Sequence, residues 1–552
     1  MRDQLIDHVR LALVFVAIFS GFLLWQAWRR EHGAVTVPTP ENIQQEGGQQ
    51  TSSADLPEGA SGVNRPEPLA AGAKTQMPAA TQMVALETDV WHARLAIQGA
   101  DLSGLELPGY LQHPKSGSPP VVLLDSRRPY LMETGLVSPD PIALPTHHEV
   151  YGLKDGVHRQ GHTVQADFVW ERAGIKVEKS YQVQDGQYLA ELTFRVHNAT
   201  AQPIRLRQYG QLERREGEPA QKRFVHTYNG GALYDGHYEK MPLKKLQEEK
   251  LERNTRGGWV AMVQHYFVGA ILPPAGETNH LYGRALSDEV GVMGFLGETK
   301  TVPPGGDIVL KQRVFLGPQL QDVLPKVAPG LDRVVDYGYI TILAKPVFHI
   351  LHWFYRLLGN WGWSIVAITF VLKLAFYKLT ETQYRSMARM KQFAPRIQAL
   401  RERYAEDRAR LQQAMMELYR KEKFNPFGGC LPMLVQMPVF IALYWVLVES
   451  VELRQAPFIL WIRDLSEPDP YYLLPILFGL SMLVQQRLSG TNQTMDPAQA
   501  RIMQFMPIGL AIFFSFFPSG LVLYWLVSNV ISITQQRWIQ SRMARHASHA
   551  AA

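Results

Sequence analysis

The residue whose placement is chemically most unusual is Lys373, which lies inside the apolar stretch WSIVAITFVLKLAFYKLT (363–380). Such a stretch is typical of a membrane-spanning helix, where a charge near the bilayer centre costs about 2.5–3.5 kcal/mol. A cation in this position usually has a carboxylate partner, but the six apolar segments of the chain contain only Glu449, at the end of one of them. Two interpretations follow: Lys373 snorkels to the nearer membrane surface, or it faces a hydrated recess that attracts acidic or carbonyl-rich polypeptide.

Polar residues in the apolar segments are candidates for lining such a recess. They are Thr369, Gln436, Gln504, Ser528, Asn529 and Ser532. By contrast, residues 87–335 contain no metal-ligand spacing, no nucleophile elbow and no glycine-rich phosphate loop, and histidines such as His147 and His148 are expected at the surface. No catalytic residue, metal site or cofactor is therefore predicted.

The apolar segments predict six membrane spans. They lie at 11–28, 361–379, 431–449, 471–487, 503–517 and 519–536. The first is longer than the apolar region of a cleaved signal peptide, which favours an uncleaved signal anchor. Several of the others are shorter than a typical hydrocarbon core requires, so the bilayer around them is expected to be thinned.

The distribution of Lys and Arg predicts the orientation of these spans. The loop 381–427 contains eleven basic residues against six acidic ones, whereas the loop 451–470 contains only Arg454 and Arg463 against four acids. Because basic loops stay in the cytoplasm, 381–427 and both termini are predicted to be cytoplasmic. Residues 29–360 are then outside.

The external segment begins as a polar tether and continues as a strand-rich domain. Residues 31–86 are rich in Gly, Pro, Gln, Ser and Ala, too polar to bury a core. Alternating apolar and polar residues at 162–198, with turns at Ala173-Gly174 and Asp185-Gly186, predict antiparallel hairpins. Similar runs at 203–213, 258–272 and 307–316, without intervening helices, favour a large β-sandwich over 87–335. The only cysteine is Cys430, so no disulfide stabilises this domain.

Two further segments predict helices outside the bilayer core. Residues 336–359 carry Lys345, His349, His352 and Arg356 as one helical stripe, which indicates an amphipathic helix lying in the outer interface. The loop 381–427 predicts a hairpin of helices at about 382–404 and 407–422, with Pro395 bending or breaking the first.

The side chains of this hairpin leave its role open. It carries Arg385, Met387, Met415 and Met416, and methionine adapts to varied apolar partners. A partner-binding surface and a merely solvated connection are both compatible with these residues.

Two long motifs resemble the YidC family of membrane protein insertases from Gram-negative bacteria. They are NPFGGCLPMLVQMPVFIALYWVLVES within 425–477 and FFPSGLVLYWLVSNVISITQQRWI at 516–539, and the similarity extends over nearly the whole chain. The resemblance implies a positively charged groove, open to the cytoplasm and the lipid and closed on the periplasmic side.

The groove cation of the family falls at Lys373, where related chains have arginine. Lysine lacks the planar donor fork of arginine, which affects bidentate binding but not attraction. Other positions of this family match the groove or the apolar surface along which a client slides into lipid; they are Thr369, Gln436, Tyr524 and Trp525. Trp525 stands where tyrosine is expected.

The resemblance also implies an order of domains. They are a signal-anchor helix (1–30), a periplasmic linker (31–86), a β-sandwich (87–335), an interfacial helix (336–359), a five-helix core (360–540) that includes the cytoplasmic hairpin 381–427, and a basic tail (541–552). The sandwich corresponds to a part that contacts the Sec machinery and is largely dispensable for insertion. The tether and the interfacial helix are expected to separate it from the core.

The function implied by the resemblance is insertion and chaperoning of inner-membrane proteins, without a chemical step or cofactor. The implied partners are nascent membrane proteins, the Sec translocon with its accessory subunits, the ribosome or targeting factors at the cytoplasmic hairpin, and the lipid bilayer. From the residues alone, two other classes stay open: a secondary transporter or channel, and a sugar-processing enzyme built on the sandwich. Neither internal repeats nor paired carboxylates are recognisable to support them.

Overall fold

The computed structural model describes residues 56–57, 83–114, 117–127, 130–215, 227–404, 407–421, 431–489 and 497–551. The predicted N-terminal span, most of the tether and the start of the motif at 425 lie outside the described residues. The described part consists of a strand-rich domain followed by a set of helices.

The strand-rich domain contains two antiparallel sheets. Its strands are β1 (Met83–Glu87), β2 (His92–Ala96), β3 (Asp101–Leu111), β4 (Pro120–Asp125), β5 (Tyr130–Val137), β6 (Gly152–Gln160), β7 (Thr163–Arg172), β8 (Ile175–Gln184), β9 (Leu189–Asn198), β10 (Ile204–Arg215), β11 (Gly230–Tyr234), β12 (Tyr238–Met241), β13 (Leu251–Arg256), β14 (Trp259–Val263), β15 (Phe267–Leu272), β16 (Thr278–Ala285), β17 (Val290–Leu296), β18 (Lys300–Val302) and β19 (Asp307–Pro318).

The two sheets pack face to face as a β-sandwich. One has the order β1-β2-β3-β4-β5-β10-β17-β16-β13, with β18 also paired to β10, and the other has the order β12-β11-β14-β15-β19-β9-β8-β7-β6. A single apolar core contains side chains from both sheets, for example Leu105 of β3 and Phe194 of β9. The first strand begins at Met83, four residues before the predicted domain boundary.

The predicted hairpins at 162–198 are confirmed. Strands β7, β8 and β9 pair in sequence, and the turn between β7 and β8 places Ala173 and Gly174 at φ values of 50° and 78°. Two-residue hairpin turns of this kind need positive φ at both positions, which glycine adopts without strain. The expectation that no helix interrupts the strands is wrong at one point, because α1 (Leu243–Glu248) lies between β12 and β13.

A lysine on β8 is fully buried inside the sandwich. Lys179 donates from Nζ to Asp101 Oδ1 at 2.7 Å, to the Gly99 carbonyl at 2.6 Å and to the Thr134 carbonyl at 3.3 Å. Burial lowers the pKa of Lys179, and the adjacent Asp101 carboxylate opposes that change. The cation is thus held by a partner of opposite charge and by oriented backbone dipoles.

The surface position expected for His147 is wrong. Its side chain is buried, its Nδ1 lies 2.7 Å from the hydroxyl of Tyr209, and its Nε2 lies 3.9 Å from the carboxylate of Glu133. The neighbouring His148 is exposed, as predicted. Residue type could not predict this difference in exposure, because both residues are histidine.

Two helices follow the last strand of the sandwich. The first is the short α2 (Leu324–Val327), and the second is α3 (Thr341–Leu358), which corresponds to the predicted amphipathic helix. One face of α3 buries Ala344, Val347, Phe348 and Leu351. The opposite face exposes Ile342, Ile350, Trp353 and Leu357. Two apolar faces on one helix, with the polar stripe between them, suit a position between protein and a lipid surface.

The remaining helices are α4 (Trp361–Ala375), α5 (Tyr377–Arg403), α6 (Arg408–Lys421), α7 (Leu431–Glu449), α8 (Leu473–Ser489), α9 (Pro497–Phe514) and α10 (Ser519–Ala551). By length and composition, no single described helix is sufficient to cross a membrane. The helices Trp361–Ala375 and Tyr377–Ser386, which meet at a bend of 63°, are together long and apolar enough to cross one.

Helices α5 and α6 cover most of the segment 381–427 for which a hairpin is predicted, and they contact each other. Pro395 lies inside a continuous helix, so it does not break α5. Glu406, part of the predicted turn, lies outside the described residues.

The sandwich and the helices are in direct contact, so the expected separation by the tether and the interfacial helix is wrong. His265 Nε2 lies 3.0 Å from the carbonyl of Val448, at the end of α7. The hydroxyl groups of Tyr337 and Ser450 are 3.0 Å apart, and the backbone N–H of Gln321 donates to Glu452. One apolar cluster joins β14 and β15 to α3, α4, α7 and α10. Sequence composition indicated two domains but contained no signal for this junction.

Candidate functional site

The site is built around Lys373, in the last turn of α4. Its Nζ lies 2.9 Å from Ser532 Oγ on α10 and 3.5 Å from Gln436 Oε1 on α7. Three helices that are distant in sequence therefore meet at one half-buried ammonium group. Among the described residues, no carboxylate lies within ion-pairing distance of Lys373, and its acceptors are neutral oxygens.

Gln436 links the lysine to the rest of the polar cluster. Its carbonyl oxygen faces Lys373, while its Nε2 donates to Tyr524 at 3.0 Å and to Ser528 at 3.4 Å. Tyr524, Ser528 and Ser532 recur every four residues and so lie on one face of α10. Because the Gln436 amide serves both sides, it orients the cluster as well as partnering the cation.

A small cavity opens beside this cluster. It has a volume of about 20 Å³ and is lined by Thr369, Leu372, Lys373, Phe376, Leu379, Thr380, Gln436, Val439 and Tyr524. Such a volume holds about one water molecule. Thr369 contributes its side chain to the wall, but its hydroxyl donates to the Ile365 carbonyl at 2.6 Å within its own helix.

The sequence-predicted groove residues thus fall into two groups. Lys373, Thr369, Gln436 and Tyr524 all line the cavity. Trp525 and Asn529 lie on a different face of α10 and contact α8.

Trp525 and Asn529 have apolar or uncharged surroundings. Trp525 packs against Phe440, Phe478 and Phe514, with ring centroids 5.2–6.0 Å apart. Asn529 donates from Nδ2 to Ser481 Oγ at 3.2 Å. These two residues hold α10 against its neighbours and are not placed to contact Lys373.

The cluster also contains a residue that sequence reasoning missed. Tyr384 of α5 is buried, and its hydroxyl donates to the backbone carbonyl of Ser532 at 3.1 Å. Tyr377, Thr380 and Tyr384 are spaced 3 and 4 residues apart on α5, which places Tyr384 on the same helix face as Thr380 of the cavity wall and could have identified it. Tyr384 connects the base of the hairpin to the helix that bears Ser532.

The predicted hairpin residues are more exposed than the cluster. Arg385 pairs with Glu381 at 2.6 Å, one helical turn away. Met416 has 45% of its surface exposed and Met415 is half-buried, whereas the side chain of Met387 lies outside the described part of the chain. An exposed methionine on a helix that ends in Arg420 and Lys421 is available to an apolar partner.

Metal binding has no support in the described residues. Within the ranges that the structure covers, no group of three or more His, Cys, Asp or Glu side chains is placed to hold a metal ion.

Regions that match known protein families make up most of the chain. Residues 353–546 match the family described as 60Kd inner membrane protein, and residues 83–350 match the YidC periplasmic domain. The chain is 42% identical over 553 residues to the membrane protein insertase YidC of Methylococcus capsulatus, covering 99% of this chain and 100% of that protein. It is 41% identical over 551 residues to the membrane protein insertase YidC of Nitrosococcus oceani, covering 97% and 98%. A crystal structure of an active YidC insertase aligns with 82% of this chain and 91% of that chain, at 16% identity and a TM-score of 0.40.

Proposed function

Because this chain belongs to the YidC family of membrane protein insertases, we propose that it inserts nascent membrane proteins into the inner membrane and assists their folding. The observation that carries the proposal is the Lys373 cluster. In the described part of the chain, the acceptors that hold this ammonium group between three helices are neutral, and a cavity lies beside them.

The electrostatics of this cluster favour transient binding of a polypeptide. Neutral hydroxyl and amide oxygens accept hydrogen bonds from Lys373, and no carboxylate of the described residues compensates its charge. In a low-dielectric environment an uncompensated cation attracts acidic side chains and carbonyl oxygens strongly. The cavity holds about one water molecule, so a client segment must separate α4 from α7 or α10 to enter.

The apolar part of a client needs a route into lipid. Val435, Met437 and Ile441 on α7 and Val530 on α10 are exposed, which gives an apolar segment a surface along which to leave the cluster. The chain itself supplies positioning and charge, and no covalent step is required. We therefore regard the activity as non-enzymatic.

The proposed topology follows from charge and helix placement. Six spans, including the N-terminal one, would place both termini and the α5–α6 hairpin in the cytoplasm and the sandwich in the periplasm. Short helices such as the 15-residue α4 would thin the bilayer around Lys373 and lower the cost of moving polar segments. The apolar outer face of α3 would rest in the outer interface.

Partner binding is proposed for the two surfaces outside the bilayer. The basic hairpin with its exposed Met416 suits the ribosome or targeting factors that deliver a client. The sandwich is proposed to contact the Sec translocon and its accessory subunits.

Client crosslinking tests the proposed path. A photocrosslinker placed at Gln436 in the full chain should capture a stalled single-span client, because this position lines the cavity. The same group at Asn529, which faces α8, is the matched control. Depletion of the protein should impair insertion of single- and double-span clients, measured by protease protection. Unimpaired insertion after depletion would contradict the function, and equal crosslinking at both positions would contradict the path.

A further inference from the structure

A second, larger pocket lies at the junction between the sandwich and the helices. It has a volume of about 490 Å³, within the range of about 300–1,000 Å³ typical of small-ligand sites. One wall comes from the end of β3 and from Tyr266, and the other comes from the loop 450–472 between α7 and α8. The Lys373 cluster shares none of its lining residues.

The charged groups of this pocket have both signs. Arg454 lies over the rings of Tyr266 and Phe267, with its guanidinium carbon 5.9 and 5.8 Å from their centroids. Its Nη2 donates to the Leu111 carbonyl, whereas its Nη1 is buried without a hydrogen-bond partner among the described residues. Asp464 and Glu467 supply two carboxylates to the same pocket. The two carboxylates lie near Arg454 and offset part of its charge, and Asp464 Oδ1 also accepts from Ser466. A complementary ligand carries both an anionic group for Arg454 and a hydrogen-bonding cation for the carboxylates.

On the topology proposed above, the pocket lies beside the outer surface of the bilayer, which favours a lipid head group as its ligand. The loop 450–472 joins the outer ends of α7 and α8 and exposes Leu460, Tyr471 and Tyr472 at 81%, 70% and 55%. Exposed tyrosines next to apolar helices are characteristic of the head-group zone of a membrane.

We propose that this pocket binds the phosphoethanolamine head group of an outer-leaflet phospholipid. The phosphate would accept hydrogen bonds from Arg454, and the ammonium group would donate to Asp464 and Glu467. A choline head group cannot donate such hydrogen bonds, and a glycerol head group has no cation to offset the two carboxylates. The expected order of retention is phosphatidylethanolamine, then phosphatidylcholine, then phosphatidylglycerol.

Native mass spectrometry of the purified full chain tests this assignment during stepwise delipidation from an equimolar mixture of the three lipids. Wild-type protein should retain phosphatidylethanolamine, and Arg454→Gln should lower that retention by about tenfold, as expected for loss of a charge-assisted hydrogen bond. Arg127→Gln, at an exposed arginine of the sandwich, is the matched control. Glu467→Gln should reduce the preference for ethanolamine over choline and does not remove the Arg454 contact to Leu111.

Soluble competitors separate a head group from a simple anion. Phosphoethanolamine should displace the retained lipid, whereas inorganic phosphate at the same concentration should not. Equal displacement by phosphate, equal retention of the three lipids, or unchanged retention in both variants would overturn the proposal. Lipid retention is measured without any client, so these results would contradict the lipid site and not the insertase function. Normal lipid retention together with failed client insertion would contradict the insertase function and not the lipid site.

Discussion

Two lysines removed from bulk water, one in each region of the molecule, have different kinds of partner. Lys179 in the sandwich is fully buried and faces Asp101 at 2.7 Å, with two backbone carbonyls completing its hydrogen bonds. Lys373 in the helical region is half-buried, and its acceptors among the described residues are the neutral side chains of Ser532 and Gln436. The first charge is neutralised within the fold, whereas the second remains available to a ligand. We therefore assign Lys179 to the stability of its domain and propose Lys373 as the cation that binds a client.

The largest expected effect concerns delivery of clients to Lys373. Deletion of 385–420 removes most of α5 and α6, so clients should no longer reach the cluster and insertion should be lost, while the helices that hold Lys373 stay in place. Protease protection of a single-span client measures this. Truncation of the basic tail 541–552 is the control for loss of positive charge, and normal insertion by the hairpin deletion would show that the loop is only a connection.

Lys179→Met should strongly destabilise the sandwich, because it leaves the Asp101 carboxylate buried without its cation. The expected loss is about 3–5 kcal/mol in the free energy of unfolding of this domain. Hydrogen exchange of β8 amides in the full chain measures it. Lys176→Met changes a half-exposed lysine of the same strand that pairs with Glu178, and equal exchange in the two variants would contradict a structural role for the Lys179–Asp101 pair.

The junction between the two regions should depend on pH through Glu452. Burial raises the pKa of this carboxyl to about 7, and the nearby Asp322 carboxylate adds to the increase. A carboxyl with a raised pKa favours the folded state below its unfolded value of 4.5, and this stabilisation is lost as pH rises through about 7.

Thermal unfolding of the full chain at pH 5 and pH 8 tests the role of Glu452. The free energy of unfolding of wild-type protein should be larger at pH 5 than at pH 8. We expect a difference of about 1–2 kcal/mol, less than the full pKa shift would give, because Glu452 is only half-buried. Glu452→Gln should reduce this difference, and an unchanged difference would exclude Glu452 as its source.

The smallest effect on insertion is expected from removal of the sandwich. Deletion of about 100–320 should leave insertion largely intact, because every residue of the Lys373 cluster is outside that range. Loss of the His265 contact with Val448, and of the apolar contacts that β14 and β15 make with the helices, predicts some loss of stability at the exposed junction. Insertion and protein level are measured together, and complete loss of insertion in a stably expressed deletion would show that the sandwich contributes to the activity.

The sequence predicted those features whose pattern is local. Alternation with a period of two located β7, β8 and β9, and paired turn residues located the turn at Ala173 and Gly174. Lys373 was identifiable because a single cation interrupts an apolar run.

Features that depend on long-range packing were not predictable in the same way. The partner of Lys179 is 78 residues away along the chain, and nothing in either local pattern pairs them. The faces of α10 were only partly assignable, because Tyr524, Ser528 and Ser532 recur every four residues but Trp525 and Asn529 form an adjacent row with the same spacing. The sandwich–helix junction forms by packing of two regions that each look self-contained.

The proposed role of Lys373 is tested by complementation of a depletion strain with substitutions at this position, with protein levels followed in parallel. Lys373→Arg should support growth because it retains the cation, whereas Lys373→Ala and Lys373→Glu should fail, with Glu the more severe because it repels acidic client segments. Loss of stability should not explain the failure, since removal of an unpaired cation from an apolar helix relieves an insertion cost of about 2.5–3.5 kcal/mol. Full rescue by both the Ala and the Glu variants at normal protein levels would contradict the account and leave Lys373 as a snorkelling residue.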